Sequence, residues 1–93
     1  MLPLKITNCT ISTALGLGND TNWQKLVAGQ SGLKPCDFPG ADSLDTWIGE
    51  VPGIDNCQLP AELGDYDCRN NRLAWLALGE DGLRESVAHT AER

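Results

Sequence analysis

The pattern of apolar and polar residues in the first third of the chain predicts a strand followed by a helix. Residues 6–11 are rich in Ile, Thr and Cys, and β-branched side chains favour a pleated strand over a helix. Trp23, Leu26 and Val27 then recur at i, i+3 and i+4, which is the spacing of one helix face. We therefore expect this apolar stripe, and Trp23 above all, to be buried.

Small residues mark where this first helix should begin and end. Gly16 and Gly18 allow the positive φ values of a turn. Asn19 or Asp20 can then accept hydrogen bonds from the first N–H groups of the helix. The glycine-rich residues 29–32 predict its end. The expected unit is a strand, a glycine turn and a short helix that supplies its own cap.

The middle of the chain predicts little regular structure. Residues 33–60 hold four of the five prolines, together with several Asp, Gly and Ser residues. A short edge strand is expected at residues 46–51, because Pro52 would stop it. A single helical turn is expected at residues 60–64, since Pro is tolerated at the first helical position. A segment this long and irregular is usually either functional or supported by a larger structure.

The last third of the chain predicts one long helix, capped by Asp65 or Asp67. Its apolar face comprises Leu73, Leu76, Ala77, Leu83, Val87 and Ala91. Gly79 and Gly82 each lower helix stability by about 1 kcal/mol relative to Ala, so a kink or break is expected between them. No stop signal follows in the last turn. We therefore expect residues 1–93 to be a truncated piece of a larger domain.

The chain is acidic, with 7 basic and 13 acidic residues and a formal net charge of −6. This charge repels phosphate backbones, so nucleic acid is not an expected partner. No apolar run is long enough to span a membrane, and the first residues lack the pattern of a signal peptide. We expect no membrane association and a cytoplasmic location.

Four cysteines are the first candidates for chemistry: Cys9, Cys36, Cys57 and Cys68. In a cytoplasmic chain they are expected to be reduced thiols, and Cys9 is expected to be buried in the first strand. Cys68 comes nearest to an activated nucleophile because it lies beside Arg69 near a predicted helix start. Flanking acids offset that charge, and activation usually needs a paired base. We expect none of the four to be catalytic.

Three further features favour ordinary structural readings. His89 lies late in the last predicted helix, where a solvated surface position is expected. The Gly16-x-Gly18 turn lacks the third glycine of a dinucleotide-binding fingerprint. The irregularly spaced acids that fail the calcium-loop pattern are Asp37, Asp42, Asp45, Glu50 and Asp55. The sequence therefore predicts no catalytic, cofactor-binding or metal-binding residue in this chain.

Residues 6–33 resemble the amino-terminal signature of the β-ketoacyl-acyl carrier protein synthases, which are condensing enzymes of the thiolase fold. Those chains open with a strand, a Ser-Pro-x-Gly-like turn and a helix reading Trp-x-x-Leu-x-x-Gly-x-Ser-Gly. The matching residues are Thr13, Ala14, Gly16, Trp23, Leu26, Gly29, Ser31 and Gly32. Residues 66–74 also resemble a second block of the family, with Arg69 as the firm match.

The resemblance implies an α/β fold class, namely an incomplete N-terminal piece of a thiolase-like fold. It would contain a strand, a helix, a long irregular segment with a short strand, and a long helix. The implied activity is an acyltransferase reaction, the decarboxylative Claisen condensation of acyl and malonyl thioesters in fatty acid or polyketide synthesis. The implied partners are an acyl carrier protein and further copies of the chain in a homo-oligomer. The family's catalytic cysteine and histidines lie downstream, so this chain would be scaffold.

The departures from the family pattern keep alternatives open. Asn8 and Thr10 stand where the family usually has glycines in the first strand, and Ala14 replaces the usual proline. A divergent relative that keeps the fold but has lost its nucleophile could act as a partner subunit or regulator. A small independent protein-binding module is the third hypothesis.

Overall fold

A computed structural model describes residues 2–38, 40 and 44–92. Within these residues the protein is a small mixed α/β structure with two separate two-stranded antiparallel sheets. The elements are β1 (Ser12–Thr13), β2 (Gly16–Leu17), α1 (Asn19–Val27), β3 (Leu33–Pro35), β4 (Trp47–Gly49), α2 (Arg69–Leu78) and α3 (Leu83–Ala91), with 3₁₀ helices at Ile54–Asn56 and Ala61–Tyr66.

The first strand lies later in the chain than the sequence pattern predicts. Residues 6–11 form no strand, and Ile6 is 85% exposed. Instead β1 pairs with β2, with Ser12 opposite Leu17 and Thr13 opposite Gly16. The prediction for residues 6–11 is wrong because a strand needs a neighbour for its N–H and C=O groups. The structure pairs no described residue with this segment in a sheet.

The first helix is where the sequence places it, but its cap differs. Gly18 is the N-cap residue, with φ of 86°, and it has no side chain to offer the first N–H groups. The prediction that Asn19 or Asp20 caps the helix is therefore wrong. Its end is confirmed, since Ala28 is the C-cap and Gly29 follows with φ of 72°.

The irregular middle segment contains one hairpin. β4 confirms the predicted edge strand, although it is shorter, and its partner β3 was not predicted. Leu33 pairs with Gly49 and Pro35 with Trp47. The N–H of Cys36 extends the ladder by donating to the carbonyl of Thr46 at 2.9 Å.

The two hairpins meet at Ala14. A Cβ atom built on Gly32 would lie 2.7 Å from the carbonyl carbon of Ala14 and 2.8 Å from its Cβ. One built on Gly49 would lie 3.1 Å from the same Cβ. The absence of a side chain at Gly32 thus allows a backbone approach that no other residue permits.

Gly32→Ala is expected to lower the free energy of unfolding by about 1–3 kcal/mol, the usual cost of forcing an extra methyl group into a packed contact. The methyl group would meet the backbone of Ala14, which cannot rotate away. Gly64→Ala is the matched control because a Cβ there meets nothing within 4 Å. Urea denaturation checks both variants. Equal stability of the two would show that the contact at Ala14 is loose.

The predicted long helix is two helices. α2 ends at Gly79 and α3 starts after Gly82, whose φ is 67°. The expected break between the two glycines is confirmed. The prediction of one long helix with a continuous apolar face is wrong, because α2 and α3 are separate helices. Neither predicted cap is used, since Cys68 is the N-cap residue of α2. The helical turn predicted at residues 60–64 is confirmed as the 3₁₀ helix that follows Pro60.

Burial is low throughout the described residues. Among these residues, the apolar side chain that is buried is Ile54, at 5% exposure. Trp23 is 68% exposed and Leu26 is 61% exposed. The α1 stripe is therefore exposed in this chain, and the burial of Trp23 in a complete protein stays a prediction. The accessible surface is 7413 Å², against about 5,200 Å² expected for a folded 10 kDa monomer. The radius of gyration is 16.4 Å, against about 12 Å expected. The chain leaves most of its large apolar side chains uncovered.

Candidate functional site

A concave surface lined mainly by charged side chains lies between the β3–β4 hairpin and the start of α2. We call it the charged cleft. Its volume is about 580 Å³, and its lining residues are Lys34, Asp37, Phe38, Glu50, Asp55 and Arg69. β3 supplies the lysine, the end of β4 supplies the glutamate, and α2 supplies the arginine. The cleft therefore joins three elements that are distant in sequence.

Ion pairs connect the charged side chains of the cleft. Lys34 Nζ lies 2.6 Å from Glu50 Oε2 and 3.3 Å from Asp37 Oδ2. Arg69 Nη1 lies 2.6 Å from Asp55 Oδ1, and its Nη2 lies 3.6 Å from Glu50 Oε1. Glu50 thus bridges the two cations. The guanidinium carbon of Arg69 also lies 5.3 Å from the centre of the Phe38 ring, within cation–π range.

Two of these side chains have a pKa that moves toward the charged form. Hydrogen bonds to Glu50 and Asp37 raise the pKa of Lys34. The hydrogen bond from Arg69 lowers the pKa of Asp55. A general acid or base works best with a pKa near the operating pH, and both shifts move away from neutrality. Neither shift therefore favours proton transfer by Lys34 or Asp55 near neutral pH.

Part of the irregularly spaced acidic cluster noted in the sequence lies in the charged cleft. Three of its members, Asp37, Glu50 and Asp55, pair with cations there, and Asp42 lies outside the described residues. Across the ranges that the structure describes, no group of three His, Cys, Asp or Glu side chains is placed to hold a metal ion.

Asp67, which was expected to cap the last helix, instead pairs with Arg72 at 2.7 Å. This contact lowers the pKa of Asp67 and raises that of Arg72.

Asn22 organises the turn before α1, and sequence reasoning did not single it out. It is 3% exposed. Its Nδ2 donates to the carbonyls of Ile11 at 3.0 Å, Gly16 at 3.0 Å and Gly18 at 2.7 Å. Its Oδ1 accepts from Thr13 Oγ1 at 2.5 Å. One amide therefore ties the N-terminal segment, the hairpin and the helix together.

An apolar groove runs beside this turn. It has a volume of about 330 Å³, and its lining residues are Cys9, Ile11, Thr13, Leu15, Asn19, Asn22, Trp23 and Leu26. Trp23 and Leu26 expose more than half of their surface along it. The groove thus presents the α1 stripe that the sequence pattern predicts to be buried.

None of the four cysteines, all of which the structure describes, forms a disulfide bond. Cys9 is exposed, so the prediction that it is buried in a strand is wrong. Cys68 is also exposed, and the neighbouring Arg69 directs its guanidinium to Asp55 and Glu50. The thiol of Cys57 lies 3.5 Å from the carbonyl of Arg72, to which it donates. The positive charge of Arg69, which was expected to activate Cys68, is therefore paired with carboxylates.

The remaining candidates have surface or structural positions. His89 lies in the last turn of α3 and is exposed, which confirms the predicted surface placement. At the Gly16-x-Gly18 turn, the first amide of α1 donates to the carboxylate of Asp81 at 2.9 Å. A carboxylate in this position occupies the amide that a phosphate group would use and repels an anion.

No helix in the described ranges combines the length and the apolar character needed to cross a bilayer. Comparisons of the chain with protein-family models, with curated proteins and with solved structures give no match in any of the three.

Proposed function

We propose that this chain is the scaffold portion of a β-ketoacyl-acyl carrier protein synthase-like acyltransferase of the thiolase fold, with the catalytic residues outside the chain. The observation that supports it most is the contact between Ala14 and Gly32. Gly32 matches the pattern that resembles the condensing enzymes, and Ala14 stands where that pattern usually has proline. The two residues are 18 positions apart, yet a Cβ built on Gly32 would lie 2.7 Å from the carbonyl carbon of Ala14. This close approach supports a shared structural role for the turn and the glycine-rich end of the pattern.

The uncovered apolar surface gives the scaffold proposal its second support. Exposed apolar side chains that lie together often mark a surface that another protein body covers. Trp23 and Leu26, which also match the family pattern, lie together along the apolar groove with more than half of their surface exposed. In a full-length synthase this groove would pack against the rest of the catalytic domain.

In the proposed enzyme, an acyl group is held as a thioester on a cysteine of another segment. A malonyl thioester loses carbon dioxide, and the resulting carbanion attacks the acyl carbonyl carbon, which releases the cysteine thiolate and forms a β-keto thioester. This chain's residues contribute position only. The charged cleft fixes α2 against the β3–β4 hairpin, and Asn22 fixes the start of α1. The substrate carrier would be an acyl carrier protein, and the assembly a cytoplasmic homo-oligomer.

The proposal is tested by assaying condensation of acyl and malonyl carrier thioesters with the full-length protein. Cys68→Ser is expected to leave the turnover rate essentially unchanged, because its neighbour Arg69 is paired elsewhere. Loss of a true catalytic nucleophile costs on the order of 10⁶-fold in kcat. Cys9→Ser, at another exposed cysteine, is the matched control. A large loss for Cys68→Ser alone, with the circular dichroism spectrum preserved, would overturn the assignment.

The exposed apolar groove also favours a second candidate, a non-catalytic relative that binds a partner subunit or acts as a regulator. Asn8 and Thr10, which stand where the resembling family has glycines, fit such a divergent protein. The same assay separates the two. A folded full-length protein that neither decarboxylates malonyl thioesters nor forms a β-keto product would favour the binding role.

A further inference from the structure

The first helix receives its cap from a residue 62 positions away. The backbone N–H of Asn19 donates to Asp81 Oδ2 at 2.9 Å. The same oxygen accepts a hydrogen bond from Thr10 Oγ1 at 2.6 Å. Gly18, the N-cap residue of α1, offers no side chain of its own. One carboxylate oxygen thus joins the N-terminal segment, the start of α1 and the turn between α2 and α3.

The turn that carries this carboxylate has an unusual backbone. Asp81 has φ of 56° and is, among the described residues other than glycine, the one with positive φ. Asp tolerates this conformation better than most residues, but the conformation still has a cost. Glu80 approaches the same point, since a Cβ built on Gly18 would lie 3.4 Å from Glu80 Oε2. Two carboxylates therefore face the positive end of the α1 dipole, which favours the docked turn.

The capped residue also supports the wall of the apolar groove. The side chain of Asn19 accepts from the N–H of Ile11 at 2.9 Å and donates to the carbonyl of Cys9 at 2.9 Å. Cys9, Ile11 and Asn19 all line the groove. The position of the groove wall thus depends on Asn19, and the position of Asn19 depends on Asp81.

We propose that Asp81 is a conformational latch, which orders α1 and one wall of the apolar groove only while the α2–α3 turn is docked. The latch goes beyond the proposed scaffold role, because it couples the α2–α3 turn to the N-terminal segment and α1. A movement of α2 and α3 would then change the shape of the apolar groove, which is the surface that another protein body would contact. Release of the turn leaves the first amide of α1 without an acceptor and frees Thr10 and the segment beside it.

Hydrogen exchange followed by mass spectrometry tests the latch in the intact protein. In Asp81→Gly, which removes the carboxylate and tolerates a φ of 56°, the amides of residues 9–13 and 19–22 are expected to exchange about fivefold faster, which corresponds to the usual effect of losing a helix N-cap. Exchange in the β3–β4 hairpin is expected to stay unchanged. Asp65→Gly, at an exposed acid of the preceding 3₁₀ helix, is the matched control and should alter neither region.

Thr10→Val provides a second, milder variant, because it removes one bond to Asp81 and leaves the amide of Asn19 capped. It is expected to accelerate exchange at residues 9–13 and to have a smaller effect in Asp81→Gly than in the parent, since both bonds end on the one oxygen that Asp81→Gly removes. Unchanged exchange of α1 in Asp81→Gly would overturn the latch. A uniform acceleration that includes the β3–β4 hairpin would also overturn it, because the effect would then be global.

Discussion

Trp23→Ala is expected to lower the free energy of unfolding of the full-length protein by about 3–5 kcal/mol, the usual cost of truncating a large buried aromatic. Within this chain Trp23 is 68% exposed and lies on the apolar groove next to Leu26. The scaffold proposal requires another part of the protein to cover that groove. Removing the indole would then leave a cavity at the junction.

The size of the effect separates a covered Trp23 from an exposed one. The contacts within this chain bury about a third of the side chain, which supports at most about 2 kcal/mol. A loss below that value would show that nothing further covers the indole. Gln24→Ala, an exposed neighbour on the same helix, is the matched control and should change the stability little. Urea denaturation of the three proteins gives the comparison.

Asn22→Ala is expected to cost about 3 kcal/mol, because it removes the donor that the carbonyls of Ile11, Gly16 and Gly18 share. The Gly18 carbonyl keeps the backbone N–H of Asn22 at 3.2 Å, so two carbonyls lose this partner, at about 1–3 kcal/mol for each buried group left unpaired. The side chain is 3% exposed, so solvent cannot easily replace it.

Asn22→Asp sharpens this test, since it keeps the shape of the side chain and removes its N–H donors. It is expected to destabilise the protein at neutral pH at least as much as Asn22→Ala, because a carboxylate would face three carbonyl oxygens. Asn70→Ala, on the exposed side of α2, is the control. If Asn22→Asp unfolds at the parent's urea concentration, the amide does not hold the turn.

Local chemistry was sufficient to predict some of the fold. The end of α1 follows from Gly29, which adopts a positive φ there, and the break between α2 and α3 follows from Gly79 and Gly82. The short strand at Trp47–Gly49 was predictable because Pro52 limits how far it can extend. Each of these features depends on residues within a few positions, which is the range over which sequence patterns are informative.

Features that depend on distant partners were not predictable in the same way. The segment 6–11 has strand-like residues but no strand to pair with. β3 was not predicted from its own residues, because it is a strand only through its pairing with β4. The cap of α1 comes from Asp81, and nothing near Gly18 in sequence indicates it. The acids of the charged cleft pair with Lys34 and Arg69 from other elements, and no local pattern indicates which cation each acid meets. Such contacts are set by how the chain folds back on itself.

The central claim, that another part of the same protein covers the apolar groove, is tested most directly by hydroxyl-radical footprinting of Trp23 and Leu26. The measurement compares their oxidation rates in the 93-residue chain and in the full-length protein. The account predicts that both side chains oxidise rapidly in the chain and are strongly protected in the full-length protein. Equal oxidation rates in the two would contradict it.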